Sequence, residues 1–118
     1  MNRDLLEVFD NAYPGRPYTI TILNPEFTSV CPRTGLPDFG TITVTYVPDR
    51  TCLELKALKY YFLEYRNQGI FYERAVNQIL DDLVTVCDPV RMEVVGEFNT
   101  RGGMRSVVKT TYEREKVR

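Results

Sequence analysis

The stretch that decides the fold class is residues 41–66, TITVTYVPDRTCLELKALKYYFLEYR, because its hydrophobic period changes partway along. In residues 41–47 apolar and polar side chains alternate, which is typical of a half-buried strand, and this strand is predicted to end at Pro48. From Leu53 onward the apolar side chains recur about every 3.6 residues, as on the buried face of a helix. The expected inward residues are Ile42, Val44 and Tyr46 in the strand and Leu55, Leu58, Phe62 and Tyr65 in the helix.

The remaining elements lie on both sides of this stretch. The patterns predict further strands at 18–23, 91–98 and 104–112 and a second helix at about 71–86. The inward residues of the second helix are expected to be Val76, Ile79, Leu80 and Leu83. Residues 1–17 are predicted to be a turn-rich lead-in, and the charged end of the chain, 113–118, is predicted to fray. The order strand, strand, helix, helix, strand, strand indicates an α+β domain, with an antiparallel sheet that carries both helices on one face.

Length and composition describe one ordinary domain. The 118 residues are enough for one hydrophobic core, so residues 1–118 are predicted to form a single domain. The net charge of -1 gives no support for a nucleic-acid-binding face, which needs clustered basic residues. No apolar run is long enough to span a membrane, and the charged segment 1–9 does not resemble a signal peptide. We therefore expect a cytoplasmic protein without a nucleic-acid or membrane partner.

The segment that joins the first two predicted strands, residues 29–40, shows neither a helical nor a strand period. A connection of this length within a small domain is usually functional or disordered, and its prolines and Gly35 favour the ordered alternative. It carries a thiol, Cys31, and a carboxylate, Asp38, which could act as a nucleophile and a proton donor. A buried cysteine and a turn-forming aspartate would explain the same residues, so both interpretations stay open on this segment alone.

The other reactive residues narrow the chemistry. The chain has no histidine, which excludes Cys-His and Ser-His-Asp mechanisms and removes the commonest transition-metal ligand. The cysteines are too widely spaced for a zinc site or a disulfide framework, so no metal is predicted, and Cys52 and Cys87 are expected to be buried and uninvolved. Lys56 and Lys59 lie together on a helix flank, and by spacing alone they would be solvated charges.

Two motifs together resemble a known family. Residues 26–39, EFTSVCPRTGLPDF, resemble the active-site segment of the 7-cyano-7-deazaguanine reductases, the QueF-type nitrile reductases of queuosine biosynthesis. Residues 54–61, ELKALKYY, match the nicotinamide-cofactor motif of that family at every position. Further matches extend from residue 65 to residue 103, so the resemblance covers nearly the whole chain. The length resembles that of the short, single-module members.

The resemblance implies a fold, an assembly and a reaction. The fold is a tunnelling fold, β-β-α-α-β-β, whose sheet closes into a barrel only when several copies assemble. The implied assembly is a homo-oligomer, a decamer of two pentamers, with active sites between subunits. The implied reaction is the NADPH-dependent reduction of the nitrile of 7-cyano-7-deazaguanine to an aminomethyl group, which serves tRNA modification.

The resemblance also implies roles for individual residues. Cys31 is implied as the nucleophile that forms a thioimide with the nitrile, and Asp38 as the proton donor. Glu73 is implied to bind the guanine-like edge of the substrate, since a carboxylate offers two acceptors side by side, and it is expected to be partly desolvated. The other implied substrate contacts are Leu53, Glu54, Leu55 and Tyr72, and the implied cofactor contacts are Lys56, Lys59 and Arg101.

The chain departs from the family pattern at two positions. Many members carry histidine before the base-binding glutamate, where this chain has Tyr72, so a phenol replaces a group that titrates near neutral pH. We expect Tyr72 to hold the substrate rather than to relay a proton. Some members have a cysteine where this chain has Ala75, so a protective disulfide with Cys31 is not expected.

Two other functions compete with the reductase. The related archaeal amidinotransferases act with ammonia instead of hydride on a nitrile already present in tRNA, but they lack the cofactor motif that residues 54–61 preserve. A non-catalytic base-binding module would keep the pocket, with Tyr72 as the sign of lost activity. The retained pair Cys31 and Asp38 argues against such a module.

Overall fold

In the computed structural model, which describes residues 2–114, one four-stranded antiparallel sheet carries both α-helices on one face. The strands are β1 (Val8–Asp10), β2 (Ile20–Val30), β3 (Pro37–Val47), β4 (Thr51–Leu53), β5 (Arg91–Phe98) and β6 (Val107–Glu113), and the helices are α1 (Leu55–Leu63) and α2 (Tyr72–Cys87). The large sheet has the order β2-β3-β5-β6, and β1 pairs with β4 in a separate two-stranded sheet. Neither helix of the described chain is long and apolar enough to cross a membrane. The predicted order of elements is confirmed.

The core lies between the large sheet and the two helices. The inward face predicted for β3 is confirmed, since Ile42, Val44 and Tyr46 are at most 1% exposed. The inward residues predicted for α2 are buried as well: Val76, Ile79, Leu80 and Leu83. Cys52 and Cys87 are buried as predicted, and all three cysteines are free thiols. The hairpin formed by β2 and β3 extends from this core.

The beginning of α1 differs from the prediction. The carboxylate of Glu54 caps the helix by accepting hydrogen bonds from the backbone N–H groups of Lys56 at 3.0 Å and Ala57 at 2.8 Å. The helix therefore starts only at Leu55, whose side chain is 60% exposed, so the prediction that Leu55 is inward is wrong. It lies on the predicted stripe but in the first turn, where it lines an open groove beside β2. The other inward residues predicted for this region are buried: Leu58, Phe62 and Tyr65.

The β2–β3 hairpin is longer than the sequence predicts. The prediction that residues 29–40 are neither helix nor strand is wrong, because Ser29 pairs with Asp38 and Val30 pairs with Pro37. Proline is compatible with the first position of a strand, which is where Pro37 lies. Only residues 31–36 remain to turn the chain, so the reactive segment is the tip of a hairpin and not a long loop.

The N-terminal part is also more ordered than predicted. Residues 1–17 include the short strand β1, in which Val8 pairs with Leu53 and Asp10 pairs with Thr51. A three-residue strand whose side chains are mostly exposed carries no recognisable period, which is why the pattern misses it. Of the end that is predicted to fray, residues 113 and 114 are described and pair with or bond to neighbouring segments, and residues 115–118 lie outside the described part.

Candidate active site

The tip of the hairpin holds the thiol in place. The backbone N–H of Cys31 donates to the carbonyl of Leu36 at 2.8 Å, and its carbonyl accepts from the N–H of Gly35 at 2.8 Å. Gly35 has a φ of +74°, in the left-handed region that favours glycine. The Cys31 side chain is half-buried at this tight turn, so it is accessible but has a defined position.

The surroundings of Cys31 favour its thiolate. The hydroxyl of Thr34 and the backbone N–H groups of Arg33 and Thr34 lower the pKa of the Cys31 thiol, because they donate hydrogen bonds to sulfur. Partial burial and the nearby charge of Asp38 act in the opposite direction, and the net effect is a lowered pKa. Sequence reasoning assigns Thr34 no role, although a hydroxyl within the tip of a reactive turn is a usable signal. More of the thiol is therefore ionised at neutral pH than in an unfolded chain.

A short parallel pairing brings the start of α2 beside the thiol. The N–H of Val30 donates to the carbonyl of Gln68 at 3.0 Å, and the N–H of Ile70 donates to the carbonyl of Val30 at 3.0 Å. Helix α2 then begins at Tyr72, two residues after this pairing. The result is that Tyr72 and Glu73, distant from Cys31 in the sequence, lie at the same cavity.

Asp38 lies in β3, beside the end of β2 that leads to Cys31, and it is paired with an arginine. Its side chain is 5% exposed, and it forms an ion pair with Arg101, whose side chain is 40% exposed. The hydrogen bond to Asp38 is the first cause of a raised pKa of Arg101. Ser29, which pairs with Asp38 across the hairpin, has a buried hydroxyl with no hydrogen-bond partner among the described residues. The predicted cofactor contact Arg101 is thus bound to the predicted proton donor in this structure.

Tyr72 completes the group around Asp38. Burial is the first cause of a raised pKa of its phenol, and the interaction with Asp38 raises the pKa further, while Arg101 opposes the change. The Tyr72 ring stacks on the ring of Phe98, with 3.8 Å between the ring centroids and 6° between the ring planes. From the sequence, Phe98 is given no role beyond the end of the predicted strand 91–98. The usable signal is Gly96, because glycine inside a strand often marks a close approach.

These side chains share one cavity of about 310 Å³, which is large enough for a small heterocyclic ligand. The lining side chains that carry chemistry are Cys31, Asp38, Tyr72, Glu73 and Arg101. Phe71, which is 55% exposed, also lines it. Glu73 is exposed in the single chain, so the expectation that it is partly desolvated is wrong here. Within the first turn of α2 only Glu73 and Arg74 are exposed, whereas Tyr72 is half-buried and Ala75 is buried.

The other predicted site residues lie at a different place. Leu55 and Lys59 line a groove of about 380 Å³ between β2 and α1, and Lys56 is exposed on the same helix. Leu53 is 2% exposed, and the carboxylate of Glu54 is engaged as the helix cap. None of these residues is among the lining of the Cys31 cavity in the described chain. One chain therefore presents the predicted site as two separate parts.

Comparisons with known proteins show the family of this chain. The family model of QueF-like proteins matches residues 37–117. A protein of Chlorobaculum tepidum named NADPH-dependent 7-cyano-7-deazaguanine reductase is 66% identical, over 98% of this chain and 99% of the relative. A protein of Chlorobaculum parvum with the same name is 63% identical, over 98% of this chain and 100% of the relative.

A solved structure supports the fold. The archaeosine synthase QueF-Like, in a crystal structure of its apo form, matches with a TM-score of 0.77. The match covers 86% of this chain and 99% of the other, and at 20% identity it concerns the fold alone. It confirms the predicted α+β tunnelling module. Taken with the relatives of high identity, these findings show that the chain belongs to the family of NADPH-dependent 7-cyano-7-deazaguanine reductases.

Proposed function

We propose that the chain uses Cys31 and Asp38 to reduce the nitrile of 7-cyano-7-deazaguanine to the aminomethyl group of 7-aminomethyl-7-deazaguanine, with NADPH as the reductant. The chain is accordingly an NADPH-dependent oxidoreductase, as the names of its relatives state, and we propose that it serves queuosine biosynthesis. The observation that carries the proposal is that a thiol with a lowered pKa and a buried carboxylate share one cavity. We also propose that the protein is located in the cytoplasm.

The first step is addition of Cys31 to the nitrile. A nitrile carbon is only weakly electrophilic, so a thiolate is needed to attack it. The sulfur–carbon bond forms as one π bond of the nitrile breaks, and the nitrogen takes up the proton that the thiol has lost. Asp38 is proposed to carry that proton, because it lines the same cavity. The product is a covalent thioimide on Cys31.

The second part is reduction of the thioimide. NADPH supplies two hydrides, four electrons in all, when it is bound. Asp38 would deliver a proton to the nitrogen when the thioimide carbon is reduced. The Cys31–carbon bond would then break, its electron pair would stay on sulfur, and an imine would form as one nitrogen proton returns to Cys31. Reduction of the imine carbon, with a second proton delivered to the nitrogen, would complete the primary amine and leave Cys31 free for the next nitrile.

The remaining site residues are proposed to bind the substrate and the cofactor. Glu73 lies at the mouth of the cavity, where its two carboxylate oxygens can accept hydrogen bonds from a guanine-like edge. Tyr72, protonated because its pKa is raised, holds the substrate beside Asp38. Lys56 and Lys59 are exposed cations on one helix, a donor set that suits the phosphates of NADPH.

The two-part arrangement supports a homo-oligomer, for which we propose a decamer of two pentamers. The contacts proposed for Leu53, Glu54 and Leu55 would reach the base only from a second chain, because these residues lie away from Cys31 in their own chain. The groove beside Leu55 also exposes apolar side chains, with Leu23 at 63% and Leu63 at 45% exposure. Sedimentation of the purified protein would measure the assembly, and a monomer with full activity would contradict the shared site.

The test of the function is turnover. The protein is mixed with 7-cyano-7-deazaguanine and NADPH, and cofactor absorbance is followed together with product mass. We expect two NADPH to be consumed per nitrile, because the reduction takes four electrons. Conversion that needs ammonia and ignores NADPH would identify an amidinotransferase. Binding of the base without conversion would identify a non-catalytic module.

The cofactor contacts are tested separately. Replacing both Lys56 and Lys59 by Ala should raise the NADPH Michaelis constant and leave thioimide formation unchanged. Each lost charge-assisted contact should cost about 1–3 kcal/mol of cofactor binding. The control is Lys109→Ala, which removes an exposed lysine that is paired with Glu93 at 3.4 Å. An equal loss of nitrile binding in the double variant would contradict a cofactor role.

A further inference from the structure

We propose that Phe98 is a positioning residue, whose ring holds Tyr72 at the cavity that it shares with Asp38 and Arg101. The inference rests on the proposed function, because Asp38 is the proton donor that Tyr72 adjoins. The central observation is the parallel stack of the two rings, at 3.8 Å between centroids and 6° between planes. Aromatic pairs usually prefer offset or edge-on arrangements, with centroids roughly 4.5–7 Å apart. A closer and parallel stack indicates that the surrounding structure holds the rings together.

Two glycines fix the ring of Phe98 from the sheet side. Gly96 lies two residues before Phe98 on the same face of β5, and Gly40 pairs with Phe98 from the neighbouring strand β3. A β-carbon on either glycine would lie 2.8 Å from an atom of the Phe98 ring. Real β-carbons do not approach so closely, so the ring occupies space that any other residue would fill. The backbone of two strands therefore determines the plane of this ring.

A third contact closes the buried side of Phe98. The ring of Phe27 meets it edge-on, with 6.4 Å between centroids and 69° between planes. Phe98 is 1% exposed. Its ring is thus bounded by the sheet and by Phe27, and Tyr72 covers its outer face. The position of the Phe98 ring is transmitted to Tyr72 through that face.

The stack matters for the site because Tyr72 shares its cavity with the ion pair of Asp38 and Arg101. Tyr72 lines the same cavity as both residues, so it lies near the ion pair that contains the proposed proton donor. Tyr72 is only half-buried and stands at the first position of α2, where fewer neighbours restrict its rotamers. With one ring face on Phe98, Tyr72 is held at the lining of the cavity that contains the ion pair.

The first experiment measures the stack without any reaction. Tyrosine is labelled with ¹³C in the assembled protein, and the Tyr72 ring signals are assigned with Tyr72→Phe. We expect these protons to be shifted upfield by the ring current of Phe98, and the shift to disappear in Phe98→Leu. The matched control is Phe27→Leu, which removes another buried ring of the same cluster and should keep the Tyr72 shift. Tyr72 signals that are unchanged in Phe98→Leu would overturn the proposal.

The second experiment measures the consequence for the chemistry. Thioimide formation should slow about 10-fold or more in Phe98→Leu, because a small misplacement of a site group is costly. In a Tyr72→Leu background, Phe98→Leu should cause no further loss, since Phe98 acts through the Tyr72 ring. Losses that multiply would mean that Phe98 is merely structural and would overturn the proposal. If Phe98→Leu does not fold, Phe98→Met fills the volume with a flexible chain and allows the same comparisons.

The two experiments separate this inference from the proposed function. If the nitrile forms no adduct at all, the proposed function fails, while the ring-current measurement still decides the role of Phe98. If the adduct forms normally and the Tyr72 signals do not respond to Phe98→Leu, only the present inference fails.

Discussion

Asp38 and Asp82 are two buried carboxylates of the same molecule that are surrounded by similar groups. Asp38 is 4% exposed and Asp82 is 2% exposed, and each forms an ion pair with one arginine. The arginine is Arg101 for Asp38 and Arg3 for Asp82, and both arginine side chains are roughly half-exposed. A carboxylate, its burial and its charged partner therefore do not distinguish the two places.

The difference lies in the tyrosines and in the thiol. Tyr61 donates its hydroxyl to Asp82 at 2.5 Å and lies 2.9 Å from the hydroxyl of Tyr65, and both rings are fully buried. Burial is the first cause of a raised pKa of Tyr61 and of Tyr65, so both phenols stay protonated. Tyr72, by contrast, is half-buried and lines a cavity with Cys31. We infer that Asp82 ties the N-terminal segment to the core, whereas Asp38 serves the reaction.

The largest expected effect concerns the thiol of Cys31, which lies near Asp38 and has no counterpart near Asp82 among the described residues. Cys31→Ala should abolish covalent adduct formation and turnover, because the other two cysteines are buried. Intact-protein mass spectrometry after incubation with the nitrile, without NADPH, measures the adduct. An adduct that persists in Cys31→Ala would mean that Cys52 or Cys87 is the nucleophile. A nucleophilic thiol would then no longer distinguish the surroundings of Asp38 from those of Asp82.

The next effect tests Asp38 itself. Asp38→Asn keeps the size of the side chain but removes the transferable proton, so turnover should fall by about 10²–10⁴. Its melting temperature should change little, because the arginine that it leaves is partly exposed to water. Steady-state kinetics and thermal unfolding measure the two quantities. A rate near that of the unchanged protein would reduce Asp38 to a structural residue like Asp82.

The reciprocal variant tests Asp82. Asp82→Asn should lower the free energy of unfolding by about 1–3 kcal/mol, because the buried hydroxyl of Tyr61 and the guanidinium of Arg3 lose their charged acceptor. The rate of thioimide formation per folded molecule should stay the same. Asp81→Asn is the control, since it changes an exposed carboxylate one residue away. Loss of the chemistry without loss of stability would show that the distinction between the two carboxylates is wrong.

The smallest effect concerns the pKa of the Cys31 thiol. The charge of Asp38 disfavours the thiolate and raises this pKa, so Asp38→Asn should lower it further below its ordinary value. Alkylation of Cys31 below its pKa should then become faster, and the midpoint of its pH profile should move to lower pH. Asp82→Asn should leave the profile unchanged. Thr34→Val should move it to higher pH, because it removes the hydrogen bond that contributes most to the lowered pKa.

Periodicity predicted the order of elements and nearly all of the inward residues, because alternation and helical spacing are local properties of the chain. It failed at the ends of elements, as with Leu55, since the same stripe can extend past the core. It also failed in the hairpin, where Pro37 and Gly40 hide a strand that pairing with β2 and β5 creates. Such pairing depends on residues far away in the sequence.

The site residues likewise include some that a local sequence motif indicates and others that are brought together only by the fold. Cys31 and Asp38 lie in one segment whose motif resembles that of the family, and the structure places both at one cavity, while their catalytic roles stay predictions. The ion pair between Asp38 and Arg101 joins residues 63 positions apart, and no local pattern indicates it. The stack of Phe98 on Tyr72 has the same character, because its cause is the missing β-carbons of two glycines on neighbouring strands. The partition of the predicted site into two parts likewise needed three-dimensional positions.

The short pairing between Val30 and the segment before α2 links the segment that carries Cys31 to the segment that carries Glu73. Val30 uses both its N–H and its carbonyl in this pairing, so opening of the hairpin tip breaks hydrogen bonds to Gln68 and Ile70 together. In native-state hydrogen exchange, the amides of Val30 and Ile70 should therefore exchange through one shared opening, with a common free energy. We expect such an opening to displace Cys31 and Glu73 from the cavity together, and separate free energies for the two amides would show that the two segments open independently.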